Sequence, residues 1–278
     1  MRALAGFEIV SLAVNVPGPA MLARLTSYGA SVTKIEPPGG DPLSHHDPRW
    51  YARLTRSQTI LRLDLKSRDG RMALDARLSR ADLLVTSSRP GALRRLGLDF
   101  DALHARFPGL CQLQIVGFPP PDDDLPGHDL SFQAAAGLIL DPPRMPFTLL
   151  ADLMGAERAA TEAVALILHK QRTGEAMLRR VSLAEAAAAL ATPVERKLCA
   201  PGGPLGGGLP GYAIYPAKDG WVAVAALEPR FVERLGAALK LPALTTARLR
   251  KVFKVKSGAQ WEAWGRKHGV PVTKLRQR

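Results

Sequence analysis

The sequence predicts an α/β fold, in which a Rossmann-like, doubly wound parallel sheet forms a large domain and a smaller α+β domain follows it. Two observations in the 278-residue chain support this fold class. In the first half, short apolar runs alternate with helix-like segments through short connections, as in repeated βαβ units. In the second half, alanine-rich helices precede a stretch of glycine and proline. We therefore expect a large domain at residues 1–195, a linker at 196–211 and a small domain at 212–278.

The elements of the large domain follow from apolar periodicity and from turn residues. The predicted strands are 8–14, 31–36, 81–86 and 110–116. The predicted helices are 16–28, 69–80, 100–107, 153–171 and 182–191. Gly29 is expected to end the first helix, because glycine readily adopts the left-handed conformation that follows a helix C-terminus. A doubly wound sheet binds ligands outside the carboxyl ends of its strands. The sequence has no GxGxxG motif, so a nicotinamide dinucleotide site is not supported.

The small domain is predicted to begin with a hairpin. Residues 212–215 and 221–227 are strand-like and flank Lys218-Asp219-Gly220, a favourable turn sequence. Two helices are expected to close the chain. The preceding stretch, Pro201 to Gly211, is interpreted as a linker, and a mobile lid is the alternative for the glycines at 206–208.

The net charge of +13 is concentrated near the C-terminus, where residues 240–278 contain eleven Lys or Arg and a single acid, Glu262. A solvated basic helix is the simplest interpretation, and a field that attracts a polyanionic small molecule is the next. We expect no nucleic-acid partner, because the segment carries no recognised nucleic-acid-binding motif.

The cysteines and the apolar runs indicate a cytoplasmic protein. Cys111 and Cys199 belong to no CxxC motif or Cys/His cluster, so we expect reduced thiols, no disulfide and no metal site. No apolar run approaches the roughly 18 residues that cross a bilayer, so no membrane partner is expected.

Three residues are candidates for proton transfer. His128 lies in Pro-Gly-His-Asp, Asp152 ends a short apolar run, and Glu228 follows the second strand of the predicted hairpin. One imidazole and two carboxylates are the groups that move a proton on and off a weakly acidic carbon. Each also has a structural interpretation. His128 could be a loop histidine with satisfied hydrogen bonds, and Asp152 could be a helix N-cap. Glu228 could simply end a strand, with Pro229 opening the helix that follows.

Eight short motifs then stand in the order seen in the family III CoA-transferases (the CaiB/BaiF superfamily). They occupy residues 29–42, 63–66, 81–85, 89–98, 127–129, 151–152, 172–174 and 181–183. Gly-His-Asp at 127–129 most resembles the α-methylacyl-CoA racemase branch of that family, because the formyl-CoA-transferase-like members lack this histidine. The resemblance implies the family fold, coenzyme A as part of the substrate, no other cofactor, and an interlocked homodimer.

The resemblance also assigns roles. His128 and Asp152 would be bases on opposite faces of the substrate α-carbon, and Glu228 would hold the other imidazole nitrogen. Backbone N–H groups at the start of the Asp152 helix would stabilise the enolate oxygen. The residues expected near the nucleotide and its phosphates are Lys34, Arg56, Arg62, Leu63, Asp64, Leu65, Arg89 and Arg95. Those expected near the thioester are Gly127, Asp129 and Ser131.

Two alternatives to racemisation of a 2-methylacyl-CoA stay open. A CoA-transferase would use Asp152 as a nucleophile that forms an acyl anhydride. A catalytically degenerate CoA-binding or interaction protein is the other alternative. It is suggested by Pro37, where the family has an arginine, and by Glu157, which follows the aspartate where the family has a glycine run.

Overall fold

The computed structural model describes residues 2–276, which form two compact units that divide between Leu190 and Ala191. The predicted end of the large domain, residue 195, is the last residue of a helix that crosses the boundary between the units. Among the described residues, no helix has both the length and the apolarity that crossing a membrane requires.

The first unit is an α/β domain, as predicted. Its strands are β1 (Glu8–Ser11), β2 (Ser31–Glu36), β3 (Thr59–Arg62), β4 (Leu83–Thr86), β5 (Cys111–Val116) and β6 (Leu178–Ser182). Its helices are α1 (Pro17–Ser27), α2 (Pro42–His46), α3 (Pro48–Leu54), α4 (Arg68–Leu78), α5 (Pro90–Arg95), α6 (Phe100–His104), α7 (Asp129–Ala135) and α8 (Leu150–Thr173). Helix α9 (Leu183–Glu195) continues from β6 into the second unit. The four predicted strands are present, whereas β3, β6 and the short helices α2, α3, α5 and α7 were not predicted.

The six strands form one parallel sheet in the order β3-β2-β1-β4-β5-β6. Successive residues of β4 enter different cores: Leu83 and Val85 join one apolar cluster, and Leu84 joins the other. Helices therefore cover both faces, which explains the continuous apolar runs of the central strands. The order reverses between β1 and β4, and the crevice at the carboxyl ends of these strands is where such sheets bind ligands.

Helix α8 is covered within the first unit. Its buried face consists mainly of alanine, and it packs in one cluster with Met21, Leu22 and Leu25 of α1. A Cβ atom on Gly155 would lie 2.2 Å from Leu183 Cδ2, so this glycine permits a close approach of α8 and the start of α9. The homodimer stays a prediction from the family resemblance.

The second unit contains a three-stranded antiparallel sheet and three helices. The strands, in sheet order, are β7 (Tyr212–Ala217), β8 (Gly220–Ala225) and β9 (Val272–Lys274). The helices are α10 (Pro229–Leu239), α11 (Thr246–Phe253) and α12 (Gly258–His268). The hairpin β7–β8 turns at Lys218 and Asp219, as predicted, and its core contains the stacked rings of Tyr215 and Phe253.

The Gly/Pro-rich stretch is a folded loop of the second unit and not an extended chain. Leu205 N–H donates to Leu198 O at 2.8 Å, and Gly206 N–H donates to Gly203 O at 2.9 Å. A Cβ atom on Gly206 would lie 1.9 Å from Ala200 O, so only glycine fits this position. The glycines that suggested a flexible linker thus permit close packing of backbone on backbone.

Candidate active site

A cavity of about 230 Å³ lies at the carboxyl ends of β1, β4 and β5, where the strand order reverses. Asn15 follows β1, Arg89 follows β4, and Gly117 follows β5 along its walls. His128 and Asp152 line the same cavity. The structure therefore brings together two of the three residues that were predicted to transfer protons.

His128 is the residue that precedes α7, and its backbone is fixed by the first turn of that helix. Ser131 Oγ accepts from His128 N–H at 3.0 Å and donates to His128 O at 2.7 Å. The residue is exposed and lines the cavity. Its position in the cavity wall is therefore set by its backbone.

Asp152 lies in the first turn of α8, which begins at Leu150. Leu149 holds the N-cap position, so the interpretation of Asp152 as an N-cap is wrong. Burial raises the pKa of the Asp152 carboxyl to about 7, and the nearby Asp129 carboxylate adds to the increase. Both the ionised and the protonated form of Asp152 are therefore populated near neutral pH.

Asp129 braces the N-terminal end of α8. It is 5% exposed, and its Oδ1 accepts a hydrogen bond of 3.0 Å from the backbone N–H of Asp152. Its Oδ2 accepts from the side-chain amide of Gln133. Buried polar groups are stabilised by such hydrogen bonds. Asp129 therefore holds the first turn of α8 in place, whereas the family resemblance predicted a contact with the thioester.

Two of the N–H groups at the start of α8 are already occupied. Asp152 N–H donates to Asp129 Oδ1, and Leu153 N–H donates to Leu149 O at 3.1 Å. The predicted donation to an enolate oxygen therefore stays a prediction for the N–H groups of Leu150 and Ala151. The cavity offers further polar groups, among them Asn15, Ser87 and Arg89.

Glu228 belongs to the second unit, where it precedes α10 and Pro229 takes the first position of that helix. Its side chain makes no capping hydrogen bond. The structural interpretation of this segment, a helix opened by proline, therefore matches the local geometry. The pairing of Glu228 with His128 stays a prediction.

Lys34 does not fulfil its predicted role. Its side chain is 0% exposed, and its Nζ lies 2.7 Å from both Glu36 Oε1 and Asp41 Oδ2. Tyr51 donates a further hydrogen bond to Glu36. An ammonium buried in this way has no surface to offer a phosphate, so the residue stabilises the fold at the end of β2.

The predicted arginines remain accessible. Arg56, Arg89 and Arg95 are exposed, and Arg62 keeps 64% of its side chain exposed at a distance of 4.0 Å from Glu36. Arg62 ends β3 and Arg89 follows β4, so both lie at the carboxyl ends of their strands, whereas Arg56 precedes β3 and Arg95 is the last residue of α5. Arg62 and Arg89 are therefore exposed cations on the ligand-binding edge of the sheet.

The remaining predicted contacts have structural tasks in the first unit. Leu63 and Leu65 pack against the second apolar cluster, and Asp64 Oδ1 accepts from Lys66 N–H at 2.9 Å in the turn before α4. Gly127 must be glycine, because a Cβ atom there would lie 2.5 Å from Phe132 Cε1.

Three polar residues of the site were missed by sequence reasoning. Val14 N–H donates to Ser87 Oγ at 3.0 Å and joins the ends of β1 and β4. Asn15 adopts φ of 65°, and its N–H donates to Asp41 Oδ1 at 3.0 Å. A four-residue spacing on α7 was the available signal for the pair of Gln133 with Asp129. For Asn15 no signal existed beyond its place after a strand.

Glu157 is directed away from the cavity. Its carboxylate forms a two-pronged pair with Arg24 of α1, with contacts of 2.7 and 3.2 Å on the protein surface. The negative charge that seemed to count against an anion site is thus neutralised elsewhere.

Comparison with known proteins identifies the family. Residues 4–278 match the model of CoA-transferase family III, so the chain belongs to that family. The human α-methylacyl-CoA racemase is 32% identical over 250 residues, which cover 84% of this chain and 64% of the racemase. The succinyl-CoA–D-citramalate CoA-transferase of Chloroflexus aurantiacus is 29% identical over 268 residues, which cover 88% of this chain and 67% of the transferase. Both reaction types that were predicted from the sequence are thus represented among the relatives.

Solved structures confirm the fold. A hypothetical protein from Mycobacterium tuberculosis superposes with a TM-score of 0.84 at 22% identity, over 100% of this chain and 84% of that one. A CaiB/BaiF family protein from Brucella suis gives a TM-score of 0.82 at 22% identity, over 99% of this chain and 84% of that one. The family resemblance and the predicted fold class are therefore confirmed.

Proposed function

We propose that the protein racemises 2-methylacyl-CoA thioesters by removing and returning the α-proton. The observation that carries this proposal is the shared cavity of His128 and Asp152 at the carboxyl ends of β1, β4 and β5. In the proposed reaction one of the two groups takes the α-proton and leaves an enolate. The other group then donates a proton to the opposite face of the same carbon.

The protonation behaviour of Asp152 fits this task. A group that must both accept and donate a proton works best when its pKa lies near the working pH. Burial and the Asp129 charge raise the pKa of Asp152 to about 7. The exposed imidazole of His128, which lines the same cavity, supplies the second proton-transfer group.

The enolate oxygen needs positive charge close by, because bases alone do not make a thioester α-proton acidic enough. The N–H groups of Asp152 and Leu153 are engaged. We assign this task to polar groups of the cavity wall, with Arg89 and Asn15 as the first candidates. Arg89 forms no ion pair within residues 2–276, so its charge is not neutralised by a protein carboxylate.

The phosphates of coenzyme A are proposed to bind at the exposed arginines Arg56, Arg62 and Arg95, while Arg89, in the cavity wall, is assigned to the thioester end. These phosphates carry several negative charges, and exposed guanidinium groups bind phosphate through paired N–H donors. Lys34 is excluded from this set by its burial.

The alternative reaction is CoA transfer, supported by relatives that are named CoA-transferases. In that reaction the Asp152 carboxylate would attack the thioester carbonyl, expel the CoA thiolate and form an acyl anhydride. His128 has no evident task in these transfer steps, which is why racemisation is preferred. A protein that binds CoA without catalysis is the third possibility.

Isotope exchange distinguishes racemisation, CoA transfer and CoA binding without catalysis. The enzyme is incubated with (R)-2-methylacyl-CoA in D₂O, and deuterium at the α-carbon is followed by mass spectrometry. We expect incorporation in the wild type and in His104→Ala, a control at another exposed histidine. His128→Ala should abolish the exchange of the α-proton in one enantiomer and keep part of that exchange in the other.

The other outcomes have distinct signatures. A transferase shows no exchange, moves CoA to an added carboxylic acid, and gives an Asp152 adduct that hydroxylamine traps. A non-catalytic protein shows neither activity but still binds CoA in titration calorimetry. Wild-type protein that lacks exchange under saturating substrate contradicts the proposed function.

A further inference from the structure

Gln133 lies behind the proposed active site, where nothing in the proposed reaction uses it. It is 1% exposed on α7, and its Nε2 donates to two acceptors. One is Asp129 Oδ2, and the other is the carbonyl oxygen of Thr148 at 3.0 Å. A single amide thus links α7 to the segment that immediately precedes α8.

The chain of contacts continues to the reacting group. Asp129 is 5% exposed, and its second oxygen, Oδ1, accepts from Asp152 N–H at 3.0 Å. Both oxygens of Asp129 are therefore fixed, one by Gln133 and one by the first turn of α8. The donors keep a buried negative charge in one place, because an unpaired buried carboxylate would be far less stable.

We infer that Gln133 is a positioning residue, which holds the Asp129 carboxylate against the first turn of α8 and thereby controls the charge that Asp152 experiences. The inference rests on the proposed function only in taking Asp152 as the reacting carboxyl. The charged or titratable groups near Asp152 are Asp129 and the cavity residues His128 and Arg89. Among these, Asp129 is the one that Gln133 contacts.

The test measures the titration of Asp152 directly. Protein labelled with ¹³Cγ-aspartate is titrated by NMR, and the Asp152 signal is assigned from its loss in Asp152→Asn. Gln133→Met keeps the side-chain length and removes both N–H donors. The Asp129 carboxylate then moves or takes up a proton, so its repulsion of a charge on Asp152 weakens. We expect the pKa of Asp152 to fall by about 1, the effect of one nearby charge.

A double-mutant cycle tests whether Gln133 acts through Asp129. Asp129→Asn alone should also lower the pKa of Asp152, because it removes the like charge. Adding Gln133→Met to Asp129→Asn should cause no further fall. The control is Gln112→Met, which removes another glutamine of 1% exposure whose amide donates to a backbone carbonyl, Leu98 O, at 2.9 Å. This control should leave the pKa of Asp152 unchanged.

Two results would overturn the inference. The first is a Gln133→Met protein that folds as the wild type does while Asp152 titrates at its wild-type pH. The second is an equal fall of the Asp152 pKa in the Asp129→Asn background, which would show that Gln133 acts by another route. The measurement needs no substrate, so it succeeds or fails independently of whether the protein is a racemase.

Discussion

Removal of Lys34 tests the buried ion cluster that closes the end of β2. The ammonium contacts Glu36 and Asp41 at 2.7 Å each, and all three side chains are at most 2% exposed. Lys34→Met leaves two buried carboxylates without their cation. Breaking a buried pair in this way costs about 3–5 kcal/mol, since the charge that remains is not solvated. We expect that loss in the free energy of unfolding of the first unit.

A matched variant separates burial from the simple loss of an ion pair. Lys170 and Asp82 are 3.0 Å apart, with side chains 23% and 25% exposed. Because water and salt screen such a pair, Lys170→Met should cost about 1 kcal/mol or less. Urea unfolding, followed by pulsed hydrogen exchange on peptides of the first unit, measures both variants on the same part of the chain. Equal losses for the two variants would refute the reasoning.

The pH dependence provides a second check of the cluster. Burial alone would raise the pKa of Glu36, but hydrogen bonds from Lys34 and Tyr51 outweigh it, so that the pKa lies below its ordinary value. A depressed carboxyl pKa contributes stability above the unfolded-state value, about 4.3, and this contribution is lost as pH falls through the folded-state pKa. The difference in the free energy of unfolding between the wild type and Lys34→Met should therefore be largest above about pH 5. It should become smaller in more acidic solution.

The remaining predictions concern packing, catalysis, ligand binding and assembly. Gly155→Ala places a Cβ atom 2.2 Å from Leu183 Cδ2, so it should destabilise the protein by about 1–3 kcal/mol in thermal unfolding. The control Gly39→Ala, whose Cβ atom has nothing within 4 Å, should be near neutral in the same measurement. For the enantiomer that Asp152 deprotonates, the initial exchange rate should rise with pH through about 7, because only the ionised carboxyl accepts a proton; a rate that is flat across this range contradicts the assignment. CoA should bind more weakly as salt increases, since screening weakens its attraction to the arginines. Arg62→Gln should reduce the affinity in titration calorimetry; absence of heat and of competition by acetyl-CoA would contradict CoA binding. Light scattering at micromolar concentration should show a homodimer, and a monomer would contradict that prediction.

The central strands could be predicted from the sequence because burial on both faces leaves its mark in the residues. All four residues of β4 and all six of β5 are buried, and both appear as apolar or mixed runs without charge. The edge strands carry no such signal. Of the four residues of β3, three are exposed, and β6 contains the exposed pair Arg179 and Arg180. An edge strand is defined by its neighbour in space, which a sequence alone does not reveal.

Residues of the site could be predicted from the sequence only where a recognisable motif contains the chemical group. His128 and Asp152 were found because motifs mark them, and the structure places both in one cavity. Lys34 was misjudged because lysine is almost never fully buried unless it is paired, and its partner Asp41 is recognised only after the loop folds back. Asn15 was missed because its role depends on a left-handed backbone conformation that Asp41 supports.

Three aspartates around the cavity show how environment separates structural from reactive carboxyls. Asp41 accepts from Lys34 and from the N–H groups of Asn15 and Leu43. Asp129 accepts from Gln133 and from the N–H of Asp152. Within residues 2–276 no hydrogen bond reaches the Asp152 carboxyl, and burial with a like charge nearby raises its pKa. Hydrogen-bond donors stabilise an ionised carboxylate and lower its reactivity, so the carboxyl without donors is the one available for chemistry. That argument supports Asp152 as the proposed reacting carboxyl in proton transfer and in acyl transfer alike. The preference for proton transfer therefore depends on the exposed imidazole of His128, which only the proposed racemisation uses.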